Sequence, residues 1–153
     1  MIGALRTGER YAPQQVLPHR HEMLLADRVD YGADYGQITL TVRPDSLFCG
    51  SDGVPAWVGI EYMAQAMGVF SGVERHQQGG EVQIGLLIGT RRYDSSVSVF
   101  PVGAELTTTA RLVFSEAQMF VFNCEISDGT QVLARGDIKA FRPDDINEFL
   151  RNA

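Results

Sequence analysis

Glu61 is the one charged residue between Val54 and Val73, and Gln65 follows it by four positions. A helix apolar on nearly every side is buried in a core or under a sheet. A carboxylate held there without a partner is costly to ionise, which pushes its pKa toward neutrality. A group poised in that way can accept and return protons at physiological pH, the requirement of a general acid or base. By position alone, capping of the helix start accounts for Glu61 equally well, because a negative charge there suits the macrodipole. Glu61 and Gln65 share one helix face and can reach a common partner. Gly68 and Gly72 continue that face and admit close approach of a backbone or another subunit. Two polar groups on a buried face need hydrogen-bonding partners, which simple core packing does not supply.

The sequence offers three histidines as the second group of a proton-transferring pair. His76 falls in a polar segment after the apolar run and reads as solvated. His19 and His21 stand in a proline-led arm beside Arg20. A single histidine is more often structural or exposed than functional, so the residues alone leave His19 open. No cluster of His, Cys, Asp or Glu has metal-ligand spacing, and no metal is expected. A nucleophile elbow, a phosphate loop and a dinucleotide fingerprint are all absent. Cys49 and Cys124 are the only cysteines; they form neither a CxxC nor a disulfide framework.

The elements that must position these residues follow from pattern. With 153 residues, 44% of them hydrophobic and 21% charged, the chain has the size and composition of one globular domain. The expected boundaries are a single domain over 1–153, with an arm at 1–16 and a tail at 142–153. A net charge of −6 without a basic run argues against nucleic acid as a partner. The apolar run approaches the length of a membrane span. Glu61, Gln65, Gly59, Gly68, Ser71 and Gly72, and the lack of flanking Lys or Arg, argue against one. The opening residues lack a signal-peptide pattern, so a cytoplasmic protein with reduced thiols is expected.

Ile38, Leu40 and Val42 alternate with polar residues as a half-buried strand, one side of a hairpin turning at Gly32 to Gly36. Pro44 to Gly53 reads as a loop, and Pro55 as the first turn of the long helix. That helix should fray between Gly72 and Gly80. Period-two patterns then fill Val82–Thr90, Arg91–Phe100 and Ala104–Ser115, with Pro101-Val-Gly103 as a turn. Met119–Ser127 and Val132–Phe141 form a hairpin around Asp128-Gly129. One apolar helix with a run of antiparallel strands predicts an α+β fold in which the sheet curls around the helix.

Three segments have a familiar form. Leu17-Pro-His-Arg-His-Glu-Met-Leu-Leu-Ala-Asp-Arg-Val29, Val54-Pro-Ala-Trp-Val-Gly-Ile-Glu-Tyr-Met-Ala-Gln-Ala66 and Phe100-Pro-Val-Gly103 resemble the opening, the central helix and the later turn of the β-hydroxyacyl-acyl carrier protein dehydratases. The resemblance spans about residues 17 to 141. It is strongest to dehydratases encoded with aryl polyene pigment biosynthesis, where Trp-Val-Gly-Ile-Glu-Tyr-Met-Ala-Gln is typical. It implies a hot-dog fold, a long central helix wrapped by a curled antiparallel sheet of five or six strands. It also implies dimers paired sheet edge to sheet edge, with active sites at the interface. In that family the helix glutamate works with a histidine from the opposite subunit on a 3-hydroxyacyl thioester.

Carried over by position, Glu61 is the catalytic carboxylate and Gln65 the helix glutamine. Ala56 stands where a backbone N–H polarises the thioester carbonyl. The family's histidine loop, Gly-His-Phe-Pro-Gly, is replaced by Leu47-Phe-Cys-Gly-Ser-Asp-Gly53, which has no histidine. By elimination His19 takes the role, with Asp52 and Cys49 as weaker substitutes. The resemblance further implies substrate entry past Met23, Trp57 and Met63, and a carrier-protein contact at Arg91 and Arg92, which solvation on a sheet edge explains as well. It implies no cofactor beyond the phosphopantetheine of an acyl carrier protein or coenzyme A. The rival readings are a catalytically impaired partner subunit in a heterodimeric dehydratase and, ranked below it, an acyl thioesterase.

Overall fold

A computed structural model of the chain describes residues 6–80, 86–142 and 151. The expected tail lies outside the described residues except for its two positions 142 and 151, as do residues 82–85 of the expected strand at 82–90. A short helical turn, α1 (Pro13–Val16), and a 3-10 turn (His21–Met23) lead into β1 (Arg28–Gly32) and β2 (Tyr35–Thr41). After β3 (Gly53–Pro55) and a 3-10 turn (Ala56–Val58) comes the long helix α2 (Gly59–Gln77). The rest is β4 (Leu86–Ser95), β5 (Val99–Pro101), β6 (Glu105–Glu116), β7 (Met119–Ser127) and β8 (Val132–Phe141). Six strands form one antiparallel sheet in the order β1-β2-β6-β7-β8-β4, and β3 pairs with β5 in a separate two-stranded ladder. Helix α2 contacts five strands of the large sheet, from β1 across to β8.

The alternation seen in the sequence explains the packing. Ile38 and Leu40 of β2, Leu106 and Ala110 of β6, and Phe122, Cys124 and Ile126 of β7 all turn inward and are buried. Met63, Ala66, Met67, Val69, Phe70 and Val73 of the helix meet them. Asp128-Gly129 makes the hairpin between β7 and β8: Gly129 takes a φ of +95°, and the Asp128 carboxylate accepts from the Thr130 and Gln131 N–H groups. Among the described residues no helix is long and apolar enough to cross a membrane. Both cysteines are free thiols, Cys124 in the core and Cys49 half-buried.

Four expectations from the sequence are corrected. Pro55 is not in the helix; it ends β3 opposite Val99, and α2 begins at Gly59. A strand end suits proline as well as a first helical turn does, because both need no N–H donor. The second correction is one of extent only: α2 ends inside the expected span 72–80, but it stays helical past Gly72 to Gln77. Gly72 is buried where a Cβ would come 1.7 Å from the Val16 carbonyl oxygen, so glycine there admits the backbone of α1. Third, β4 crosses the supposed break at Thr90–Arg91 as one strand, with register shifts between Leu87 and Gly89 and between Thr90 and Arg92. Val99–Pro101 leaves the large sheet to pair with β3, so the loop at 44–53 closes on a strand.

The buried Glu74 is held by Arg142, whose guanidinium donates to its carboxylate at 2.7 Å and to Ser71 Oγ at 2.7 Å. This ion pair ties the last turns of α2 to the end of the sheet.

Gly72→Ala drives a methyl group into the Val16 carbonyl. The expected loss is about 1–3 kcal/mol, measured as a lower urea midpoint at unchanged slope. An unchanged midpoint would show that α1 does not rest on this helix face.

Candidate active site

The arm that carries His19 is drawn back along α2 by a chain of local contacts. Val16 lies over Gly72 and the Leu17 side chain over Gly68, which places the following residues beside the first half of the helix. Arg20 closes the bend, its Nη1 donating to the carbonyl oxygens of Leu17 at 2.6 Å and His19 at 2.7 Å. Beyond the 3-10 turn, the arm is fastened by Gln65. Its Nε2 donates to the Met23 carbonyl at 2.7 Å, and its Oε1 accepts from the Leu25 N–H at 3.0 Å. Gln65 is fully buried. These bonds supply the partners that a buried carboxamide requires.

His19 and Glu61 come together within one chain. His19 Nε2 stands 3.6 Å from Glu61 Oε1, with side chains 27% and 36% exposed. Gln65 Nε2 lies 3.3 Å from the same Glu61 oxygen. The carboxylate is therefore neither unpaired nor sealed in the core, as the apolar run suggested; the polar arm covers its face and leaves an opening. It also stands in the first turn of α2, where the helix dipole favours it, so the capping reading describes its position too. The imidazole Nδ1 is buried without a partner among the described residues. Burial pushes the His19 pKa below its ordinary value, Glu61 opposes that shift, and Arg20 adds to it. Burial prevails because an imidazolium loses more hydration than one partly exposed carboxylate restores.

The other candidates divide. The Ala56 N–H donates to the Ser98 carbonyl at 2.9 Å, so it is not available to a substrate carbonyl, against expectation. Met63 is fully buried in the chain, with its sulfur over Gly136. Met23 and Trp57 are open to solvent, at 45% and 64% exposure, and the Trp57 ring meets Phe48 edge to face at 5.9 Å. Arg91 and Arg92 are exposed on β4; Arg92 pairs with Asp94, while Arg91 has no ion pair among the described residues. Neither Asp52 nor Cys49 is bonded to Glu61 there. His76 is exposed and sets its ring edge against Tyr11.

Two features had no signal in the sequence. A cavity of about 220 Å³ lies beside the arm, lined by Glu22, Leu24, Leu25, Leu40, Arg43 and Tyr62 among others, but not by His19 or Glu61. Tyr93 on β4 donates its hydroxyl to the Ala56 carbonyl. Both depend on residues far apart in the chain, which no local pattern records.

A long helix wrapped by a curled six-stranded antiparallel sheet is the hot-dog fold, and the first turn of that helix carries Glu61. Residues 11–151 match the ApeP-like family, described as ApeP dehydratase, and the chain belongs to that family of aryl polyene-type dehydratases. It is similar to a chain of the dehydratase heterocomplex ApeI:P from Xenorhabdus doucetiae, with 28% identity over 94% of this chain and 98% of that one, at a TM-score of 0.85. The HP0420 homologue from Helicobacter felis shares the fold at 14% identity, covering 84% and 97% of the two chains, with a TM-score of 0.64. A probable thioesterase from Bartonella henselae does so at 14% identity over 71% and 89%, with a TM-score of 0.55. Comparison with curated proteins finds no match.

The lowered His19 pKa carries a sign. The folded protein binds this proton less readily than the unfolded chain, whose histidine titrates near 6.5. His19 therefore leaves stability unchanged above that pH and reduces it as pH falls from there through the folded-state pKa. His19→Gln should lose less Tm than wild type between pH 7 and 5. An equal or steeper loss in the variant would show that His19 is not held neutral.

Proposed function

We propose that this chain is a 3-hydroxyacyl thioester dehydratase in which His19 and Glu61 of one subunit move the proton. The observation that carries this is the 3.6 Å approach of His19 Nε2 to Glu61, held by a buried glutamine bonded to both the arm and the carboxylate. The neutral imidazole accepts the C2 proton of the substrate. The C2–H electron pair becomes the C2=C3 π bond, and the C3–O bond breaks. The proton passes through the His19–Glu61 pair to the departing hydroxyl, which leaves as water. No electrons are gained or lost, so the reaction calls for no redox cofactor. A thioester carbonyl must be polarised while C2 gives up its proton. Since Ala56 is engaged with Ser98, that donor is the Trp57 N–H, the next along the turn.

The same reading makes phosphopantetheine, on an acyl carrier protein or coenzyme A, the handle of the substrate. Met23 and Trp57 border its entry, and Arg91 and Arg92 face an acidic carrier. The outer edge of β4 has no strand partner among the described residues, and an open edge invites pairing with another sheet. A second hot-dog subunit would fit there, in a cytoplasmic dimer whose whole chain is one domain.

One observation favours a second reading. The similar Xenorhabdus protein is part of a dehydratase heterocomplex, and the loop that holds the histidine in the resembling dehydratases has none here. In that case this chain shapes a partner's site rather than reacting itself.

Hydration of crotonyl thioester by the purified chain, alone and with a co-expressed hot-dog partner, separates the two. Glu61→Gln and His19→Ala should each reduce kcat by about 100-fold or more, the scale of one acid–base group, with folding intact by circular dichroism. Full activity of the complex with both variants, each tested separately, would assign the chemistry to the partner. Activity retained in His19→Ala alone would remove His19 from the site.

A further inference from the structure

Tyr93 reaches across from β4 to the turn that precedes α2. Its hydroxyl donates to the Ala56 carbonyl, and the turn is gripped from the other side where the Ala56 N–H donates to the Ser98 carbonyl at 2.9 Å. The Tyr93 ring rests against Gly59, where a Cβ would come within 2.2 Å of the hydroxyl oxygen; the absent side chain is what lets the phenol in. Burial pushes the Tyr93 pKa up to about 12, so it stays a donor throughout the working pH range.

The Ala56 carbonyl and the Trp57 N–H belong to the same peptide unit. In a planar trans peptide the two point in opposite directions, and the described residues contain no cis bond. With its carbonyl turned to Tyr93 on the sheet, this peptide turns its N–H away from the sheet. No acceptor among the described residues takes that N–H. A hydrogen bond to a peptide carbonyl also polarises the unit and strengthens donation from its nitrogen.

Resting on the dehydratase reading above, we propose that Tyr93 is a positioning residue, which through the Ala56–Trp57 peptide aims and strengthens the N–H that receives the thioester carbonyl. The help is felt as negative charge builds on that oxygen, so it belongs to kcat more than to KM.

Tyr93→Phe keeps the ring over Gly59 and removes only the donor. Assayed in the active species, chain alone or complex, it should lower kcat about tenfold, the scale of one hydrogen bond, with KM and Tm near wild type. Fluorinated tyrosines at position 93, whose phenols donate more strongly, should keep kcat at or above the wild-type value and order it by acidity. In 15N-labelled protein the Trp57 amide should move downfield on addition of crotonyl coenzyme A, and move less in Tyr93→Phe. Full kcat in Tyr93→Phe, a fall that merely tracks Tm without a trend among the fluorotyrosines, or an unmoved Trp57 amide would each overturn the proposal. Run beside these, Glu61→Gln separates the two levels. If it inactivates while Tyr93→Phe does not, only the positioning role fails; if it is silent, the dehydratase reading fails with it.

Discussion

The buried carboxamide of Gln65 is the constraint on which the site depends. One side chain makes both bonds to the backbone of the arm, at Met23 and Leu25, and leans its amide on Glu61. A buried amide left without partners costs roughly 1–3 kcal/mol per group, so the arm is held to this register rather than merely resting nearby. His19 stands only four positions before Met23 in the chain. The distance between His19 and Glu61 is thus fixed by a residue whose own side chain carries no charge. A glutamate at 65 would lose the donor to Met23 and place like charge beside Glu61; a leucine would strand both arm groups.

The rest of the chain holds that bridge in place. Helix α2 has to lie at a set depth over the sheet, and this depth is read out at close approaches rather than by bulk apolar area. Val16 against Gly72 sets the arm, and Tyr93 against Gly59 sets the helix start. At the far end, Arg142 holds Glu74 and rests over the Phe120 ring at 4.9 Å. Removing one member of such a buried pair leaves an uncompensated charge, which costs more than the pair contributes. The helix is pinned at both ends, and Glu61 near its start inherits that rigidity.

Much of this was legible in sequence, for reasons that also explain what was not. Period two exposed β2 and the β7–β8 hairpin because one face of each is buried and a slip of one residue would invert it. The Glu61–Gln65 spacing gave the shared helix face, since four residues return nearly to the same side of a helix. Pro55 was ambiguous by nature: its missing N–H is as harmless at the end of β3 as in a first helical turn. Glu74 and Arg142 lie 68 positions apart, and Tyr93 and Ala56 lie 37 apart. Nothing local marks either contact. His19 was reached only by eliminating the other histidines and by a resemblance that covered its arm; the arm's own residues did not require it.

The occupied Ala56 N–H follows from the strand pairing just before the helix. Residues 53–55 are drawn into a ladder with 99–101, and the first N–H beyond that ladder continues the pairing by donating to Ser98. An N–H committed to that pairing is not free for a carbonyl. On the proposed reading the acid–base partner sits on the arm, where Gln65 supplies the fastening, and the carbonyl donor sits one residue along the turn from Ala56, where Tyr93 orients the peptide. The helix start is approached from two sides, by the arm, which Gln65 fastens, and by β4, whose Tyr93 rests on Gly59. The position of Glu61 is therefore set from both.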